Sequence, residues 1–325
     1  MRAKSIESQM QPTPKILVIG AIGQIGTVLT NALRKKYGSQ AVLATDIKRP
    51  PNNDHPFEML DILNVQRVRE IVEDYEINQI YHLAAILSAN GEWNPLKTWN
   101  VNLNGLITVL ELAKEKKIEK IFFPSTIAVF GSTTPRVQTP QHTALLPETV
   151  YGMSKVSGEL WCNYYHKRYG VDVRSLRYPG IISYQSMPGG GTTDYAVEIF
   201  HEALKTGSYE CFLRSDTKLP MLYIDDSIRA TLELMDAPAQ QIHIRSSYNL
   251  AGMSFTPAEL AFEIQKHIPD FKISYKPDFR QSIADSWTES IDDRYASLDW
   301  GWKPEFDLAG MTLEMITQLR KKMNG

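Results

Sequence analysis

Three glycines at a spacing of three, Gly20, Gly23 and Gly26, stand between an apolar run at residues 15–19 and a segment with apolar residues at Ile25, Val28, Leu29 and Leu33. The run reads as a buried strand, and the segment as one face of a helix that stops at Gly38. Glycine tolerates the tight turn from strand to helix, lets backbone approach a pyrophosphate, and permits close helix–strand packing. The helix N-terminus then presents free N–H groups and a partial positive charge to phosphate. The spacing is G-x-x-G-x-x-G rather than the commoner G-x-G-x-x-G. With its flanking strand and helix, the turn points to a dinucleotide site formed by Gly20, Ile22, Gly23, Gln24, Ile25 and Gly26.

The rest of the chain fits that start. Strands are expected at 41–45, 57–60, 79–83, 120–124 and 173–178, with helices at 64–74, 95–116 and 147–169. Right-handed crossovers between these strands make a doubly wound parallel α/β sheet of Rossmann type. Residues 183–194 lack periodicity, carry Gly189-Gly-Gly191, and read as a loop over an active site. Residues 15–182 are expected to form the nucleotide-binding domain, with returns to its sheet at about 221–251. Residues 183–220 and 252–325 are expected to form a smaller substrate-binding cap of short helices and one strand.

Asp46 ends the second strand, twenty residues beyond Gly26. A carboxylate there accepts from both ribose hydroxyls and repels a 2′-phosphate, favouring NAD over NADP; the alternative is a carboxylate that caps a loop. The neighbouring Lys48 and Arg49 argue the other way on NADP. Asp61, after the third strand, would meet the adenine edge. Leu83-Ala84-Ala85 would pass beneath the cofactor, where only small side chains leave room.

Tyr151-Gly-Met-Ser-Lys155 lies in an expected helix, so both side chains leave from one face. Oxidising an alcohol requires a base for the hydroxyl proton while hydride leaves the carbon. A free phenol titrates near 10, so favouring the phenolate near pH 7 takes about 4 kcal/mol. One ammonium at about 4 Å supplies roughly that much at an effective dielectric of 20. Tyr151 is therefore the expected base, with Lys155 as its activator and as a holder of the nicotinamide ribose. Ser125 and Thr126 end the fifth strand, at the ligand-binding edge of such a sheet. Either hydroxyl is a candidate partner for the substrate oxygen, and either is equally a turn cap.

Bulk properties narrow the class. A net charge of −2 over 325 residues gives no reason to expect nucleic acid or an anionic membrane as partner. No apolar run approaches the roughly 20 residues that span a bilayer. The two cysteines, Cys162 and Cys211, make no disulfide framework and no metal-ligand spacing. A reducing, intracellular setting is expected, cytoplasmic or mitochondrial matrix. The first fourteen residues read as a disordered cap or as an organelle-targeting remnant.

Gly20/Gly23/Gly26, His82-Leu-Ala-Ala85, Asn102-Leu-Asn-Gly105, Thr126 and Tyr151/Lys155 resemble the extended short-chain dehydrogenases, the group of UDP-galactose 4-epimerase. The resemblance implies that Thr126 takes the usual Ser/Thr role beside Tyr151 and Lys155. It also implies that Asn102 braces the site, and that Ile62, Asn102 and Tyr178 join the cofactor-binding set. Pro124-Ser-Thr-Ile, Arg177-Tyr-Pro-Gly-Ile-Ile, Pro188-Gly-Gly-Gly-Thr-Thr-Asp-Tyr-Ala and Asp299-Trp-Gly-Trp-Lys-Pro resemble a narrower family, the short-chain-type L-threonine 3-dehydrogenases. That likeness implies oxidation of L-threonine to 2-amino-3-ketobutyrate with NAD, and a homodimer through the helices near 96–116 and 147–169. It suggests Ser88, Ser125 and Thr193 as substrate contacts, with Gly189 and Asp194 shaping a closing loop. Asp194 would alternatively cap the helix beginning near Tyr195, and Trp287 would wall the pocket or belong to the core. A nucleotide-sugar epimerase or dehydratase is the nearest competitor. Against it, proline at position 179 removes a backbone donor that the epimerase pattern keeps. A cofactor-binding regulatory module without catalysis has no need of the intact Tyr151/Lys155 pair.

Overall fold

A computed structural model describes residues 13–324 except 51–53, 117, 186, 188 and 190. Most of the amino-terminal cap, together with Pro188 and Gly190 of the glycine loop, therefore lies outside the described residues. Seven parallel strands form the central sheet: β1 (Ile16–Ile19), β2 (Val42–Asp46), β3 (Phe57–Met59), β4 (Gln79–His82), β5 (Lys120–Thr126), β6 (Val173–Tyr178) and, late in the chain, Tyr248–Asn249. Counting the intervening strands in chain order makes that last one β10, and the spatial order is β10-β6-β5-β4-β1-β2-β3. Chain order reverses between β1 and β4, so the groove outside their carboxyl ends is the natural ligand crevice.

Alternation along β1 divides the core. Ile16 and Val18 join one buried cluster, while Leu17 and Ile19 join the other on the opposite face. All four residues are buried, as expected of a central parallel strand covered on both faces. The helix Gln24–Tyr37 begins at Gly23 and ends at Gly38, with Arg34, Lys35 and Lys36 in its last turn, where cations suit the helix dipole. The helix Val150–Tyr169 starts with Thr149 accepting the Gly152 N–H and ends at left-handed Gly170.

Two differences from the sequence expectation affect the site. The long helix at 95–116 is broken: Pro95–Trp99 and Gly105–Lys116 are α-helical, and Asn100–Asn104 between them is a π-turn. Such bulges rotate side chains off the regular helical face, and this one carries Asn102. Secondly, the stretch near 221 does not return to the main sheet. Pro179, without an N–H, ends the β6 ladder; β7 (Gly180–Ile182) then pairs with β9 (Leu219–Tyr223). β9 pairs in turn with β11 (Met253–Phe255), making a separate three-stranded sheet. Only Tyr248 and Asn249 rejoin the main sheet, beside Leu176 and Arg177. The cap also holds a second small sheet, β8 (Ser208–Cys211) with β12 (Lys272–Tyr275). Among the described residues, no helix is long and apolar enough to cross a membrane.

Candidate active site

The glycine turn is folded tightly enough to exclude side chains. Gly20 has φ +88°, and a Cβ on it would lie 2.7 Å from the Ala84 nitrogen. A Cβ on Gly26 would lie 2.1 Å from the Gly20 carbonyl oxygen. At Gly23 the nearest atom to such a Cβ is 3.4 Å away, so its open side faces the groove. One end of the groove is lined by Gly20, Gly23, Asp46, Asp61, Ile62, Leu83, Ala84 and Ala85, together with Ile47, Lys97 and Val101, which sequence reasoning did not single out. Asp46 Oδ2 accepts the Ile22 N–H at 3.1 Å and Asp61 Oδ1 accepts the Leu63 N–H at 3.0 Å. Asp46 thus does hold a loop, and a carboxylate retains further lone pairs for ribose hydroxyls. Ile22 contributes through that N–H rather than by lining the groove. The backbone cradle, the helix N-terminus and the carboxylate at the end of β2 fit an adenosine pyrophosphate.

The same groove continues over Gly20, Gly23, Gln24, Ile25 and Gly26 into a cavity lined by Ser125, Thr126, Tyr151, Lys155 and Tyr178. Gln24 Nε2 donates to the Ile181 carbonyl at 3.3 Å, tying the glycine turn to β7. Tyr178 lines the cavity while its hydroxyl turns away to Thr231. Burial pushes the Tyr151 phenol up to about 12, and a hydrogen bond with the Thr126 hydroxyl works against that rise. This is opposite to the lowering expected from Lys155. Lys155 Nζ donates to the Pro124 carbonyl at 2.7 Å and lies 5.7 Å from the centre of the Tyr151 ring. Burial holds its ammonium down to about 7, with Cys162 and Glu159 pulling it back up. His82, fully buried, is pushed down to about 3, first by burial and then by the Lys155 charge. Neither of its ring nitrogens has a hydrogen-bond partner among the described residues. It is a neutral buried group stacked on Phe123, over which Lys155 also sits.

The far side of the cavity comes from the cap and from Ser88, on the short helix after β4. Ser88, Gly191, Thr192, Thr193, Asp194 and Trp287 line it. Thr192, absent from the sequence reading, is 1% exposed, and its hydroxyl faces Ser88 Oγ at 3.4 Å. Thr193 also lines the cavity, yet its methyl side packs on Gly180, where a Cβ would be 2.8 Å away. The adjacent threonines in Gly191-Thr-Thr were the only sequence signal for Thr192. Asp194 precedes the helix Tyr195–Lys205, and its Oδ2 accepts the Gly191 N–H at 2.7 Å, closing the glycine loop on itself. Trp287 is both buried and part of the wall, so its two sequence readings are compatible.

Three expected site residues hold partners within the protein. Asn102 does not line the groove: Oδ1 accepts the Ile86 N–H at 2.8 Å, while Nδ2 donates to the Ile86 carbonyl and to Ser154 Oγ. It braces the segment after β4 against the helix bearing Tyr151. Gly189 is likewise outside the cavity lining, and its carbonyl accepts from Asn90 Nδ2 at 3.0 Å. Ser125 lines the cavity, but its hydroxyl donates to Glu159 Oε1 at 2.5 Å. Among the described residues, no group of three or more His, Cys, Asp or Glu is placed to hold a metal ion.

Known proteins similar to this chain share its fold. The chain is 50% identical to a mitochondrial L-threonine 3-dehydrogenase of Bos taurus, over 93% of this chain and 82% of that protein. It is 47% identical to an uncharacterized epimerase/dehydratase of Staphylococcus haemolyticus, over 95% and 98% of the two chains. The solved holo form of a GalE-like L-threonine dehydrogenase from Cupriavidus necator superposes with a TM-score of 0.93 at 51% identity, covering 94% of this chain and 100% of that one. A monomeric L-threonine 3-dehydrogenase from a metagenome, in its apo form, superposes with the same score at 52% identity, over 94% and 99%. Residues 16–251 match the NAD dependent epimerase/dehydratase family, and the chain belongs to that family.

Proposed function

We propose that this chain oxidises L-threonine at its 3-hydroxyl with NAD as hydride acceptor, yielding 2-amino-3-ketobutyrate. One observation carries the reading. Tyr151, paired with Thr126 at the end of β5, opens into a single cavity bounded on one side by the glycine turn and on the other by Ser88 and Thr192. Bound NAD supplies the acceptor for the hydride leaving C3. Tyr151, in its phenolate form, receives the hydroxyl proton, and the Thr126 hydroxyl keeps the substrate oxygen in line with it. Lys155, held by the Pro124 carbonyl, keeps its amine 5.7 Å from the centre of the Tyr151 ring and is charged below about pH 7. Ser88, Thr192 and the Gly191 segment give hydroxyl and amide donors for the substrate carboxylate. Trp287 walls the remaining side and excludes water. The relatives that carry the threonine dehydrogenase name support the same substrate.

Absorbance of NADH tests it, with L-threonine compared against UDP-galactose and simple alcohols. Threonine alone is expected to turn over, at rates that rise with pH because a phenol raised to about 12 yields more base, and less steeply above about 7, where Lys155 loses its charge. Tyr151→Phe is expected to cut turnover by roughly 10²- to 10⁴-fold while NAD binding persists. Conversion of UDP-galactose to its 4-epimer, followed by chromatography because epimerisation returns NAD unchanged, without threonine oxidation would replace this reading with the epimerase one. Near-normal activity of the phenylalanine variant would remove Tyr151 as base.

We also propose a homodimer. Met153, Leu160, Trp161, Tyr164 and Tyr169 are exposed along Val150–Tyr169, with Leu96 and Trp99 exposed on the neighbouring Pro95–Trp99. That much apolar surface on two adjacent helices suits a self-complementary interface. Light scattering is expected to give twice the 36.9 kDa chain mass, and a monomer at working concentration would end the proposal.

A further inference from the structure

Tyr151, Lys155 and Glu159 are spaced by four along one helix and so share a face. Opposite them are three consecutive residues of the β5 end, and each pairs with one. Thr126 hydrogen-bonds Tyr151, the Pro124 carbonyl accepts from Lys155 Nζ at 2.7 Å, and Ser125 Oγ donates to Glu159 Oε1 at 2.5 Å. Two of these bonds involve the reacting pair. The third involves an acid to which the reaction assigns nothing.

Glu159 is 1% exposed and fully partnered. Arg177 Nε reaches its Oε1 at 2.9 Å and Nη2 reaches its Oε2 at 2.7 Å, a two-pronged ion pair. Arg177 Nη1 donates onward to the Gln141 carbonyl and to Asn249 Oδ1. Asn249 Nδ2 reaches the Thr139 and Asp292 carbonyls. The acid is thus anchored from behind, through β6 and β10, to the segment that follows Trp287. Buried ion pairs of this kind contribute little net stability over an apolar pair of equal volume. Their geometric effect is larger, because a network with every member satisfied admits one arrangement.

We propose that Glu159 is a positioning residue for the proton transfer: through Ser125 it holds residues 124–126 at the one register that gives Lys155 its carbonyl and Tyr151 its hydroxyl. The proposal rests on the reading of Tyr151 as the base. Sliding the strand end by one residue would break all three contacts, so the Ser125–Glu159 bond locks both neighbours at once.

Ser125→Ala removes that bond and leaves the Glu159–Arg177 ion pair intact. Its kcat is expected to fall about tenfold, which corresponds to about 1.4 kcal/mol, with KM for NAD and for the alcohol within about twofold of wild type. Unchanged kcat would overturn the proposal. So would a loss confined to KM for the alcohol, which would make Ser125 a direct substrate contact. Glu159→Gln, checked for folding by circular dichroism, is expected to lose at least as much kcat, and wild-type kcat in the folded variant would overturn the proposal. If it does not fold, Ser125→Ala decides alone. The split is read on whichever alcohol the wild type oxidises, so a wrong substrate assignment is detected separately, by the wild type's own preference.

Discussion

The two ends of the ligand groove are built by different means. At the nucleotide end, backbone does the shaping: Gly20 and Gly26 leave no space for a Cβ against Ala84 and Gly20 itself, and the flanking strand and helix lie within residues 16–37. At the substrate end, side chains do it, drawn from residues 88, 125–126, 192–194 and 287 and brought together by three sheets. A backbone site has one solution and tolerates almost no substitution. A side-chain site keeps its scaffold while individual groups change, which is how one fold serves many substrates.

Two substitutions sharpen that contrast. Gly26→Ala places a methyl 2.1 Å from a backbone oxygen that has no free rotor to relieve it. An overpacking cost of about 1–3 kcal/mol, taken from the bound state, weakens NAD binding by roughly ten- to a hundredfold. Titration of NAD against protein fluorescence measures it, and wild-type affinity would show that the turn yields more than its packing suggests. Thr192→Ala acts at the other end, removing one buried hydroxyl beside Ser88. KM for threonine is expected to rise by about fivefold to tenfold, one hydrogen bond's worth, with KM for NAD unchanged. If both constants rise together, the two ends are coupled, and the Gln24 bond to Ile181 is the first place to look.

The catalytic pair lies between these extremes. Tyr-x-x-x-Lys on a helix was readable, since spacing alone puts both residues on one face. The direction of the tyrosine's shift was not. A sequence gives the charge of Lys155 but not its burial, nor that Nζ is taken by the Pro124 carbonyl, and burial sets the direction of both shifts here. Asn102 and Ser125 were recognised as site residues, yet their partners are Ile86 with Ser154, and Glu159. Those pairings span 16 to 52 positions and depend on a π-turn and a strand register that no local pattern encodes.

The amino-acid order by itself determined the doubly wound sheet, the glycine cradle, Asp46 at the end of β2 and the Tyr151/Lys155 face, because each follows from local periodicity or from a side chain's size. Only the tertiary structure decided that the chain leaves the main sheet after Pro179 to pair β7 with β9, that Thr192 rather than its neighbour faces Ser88, and that Glu159 stands behind the catalytic strand. Those outcomes depend on which distant segments compete for the same buried space, and that competition is settled only when the whole chain packs.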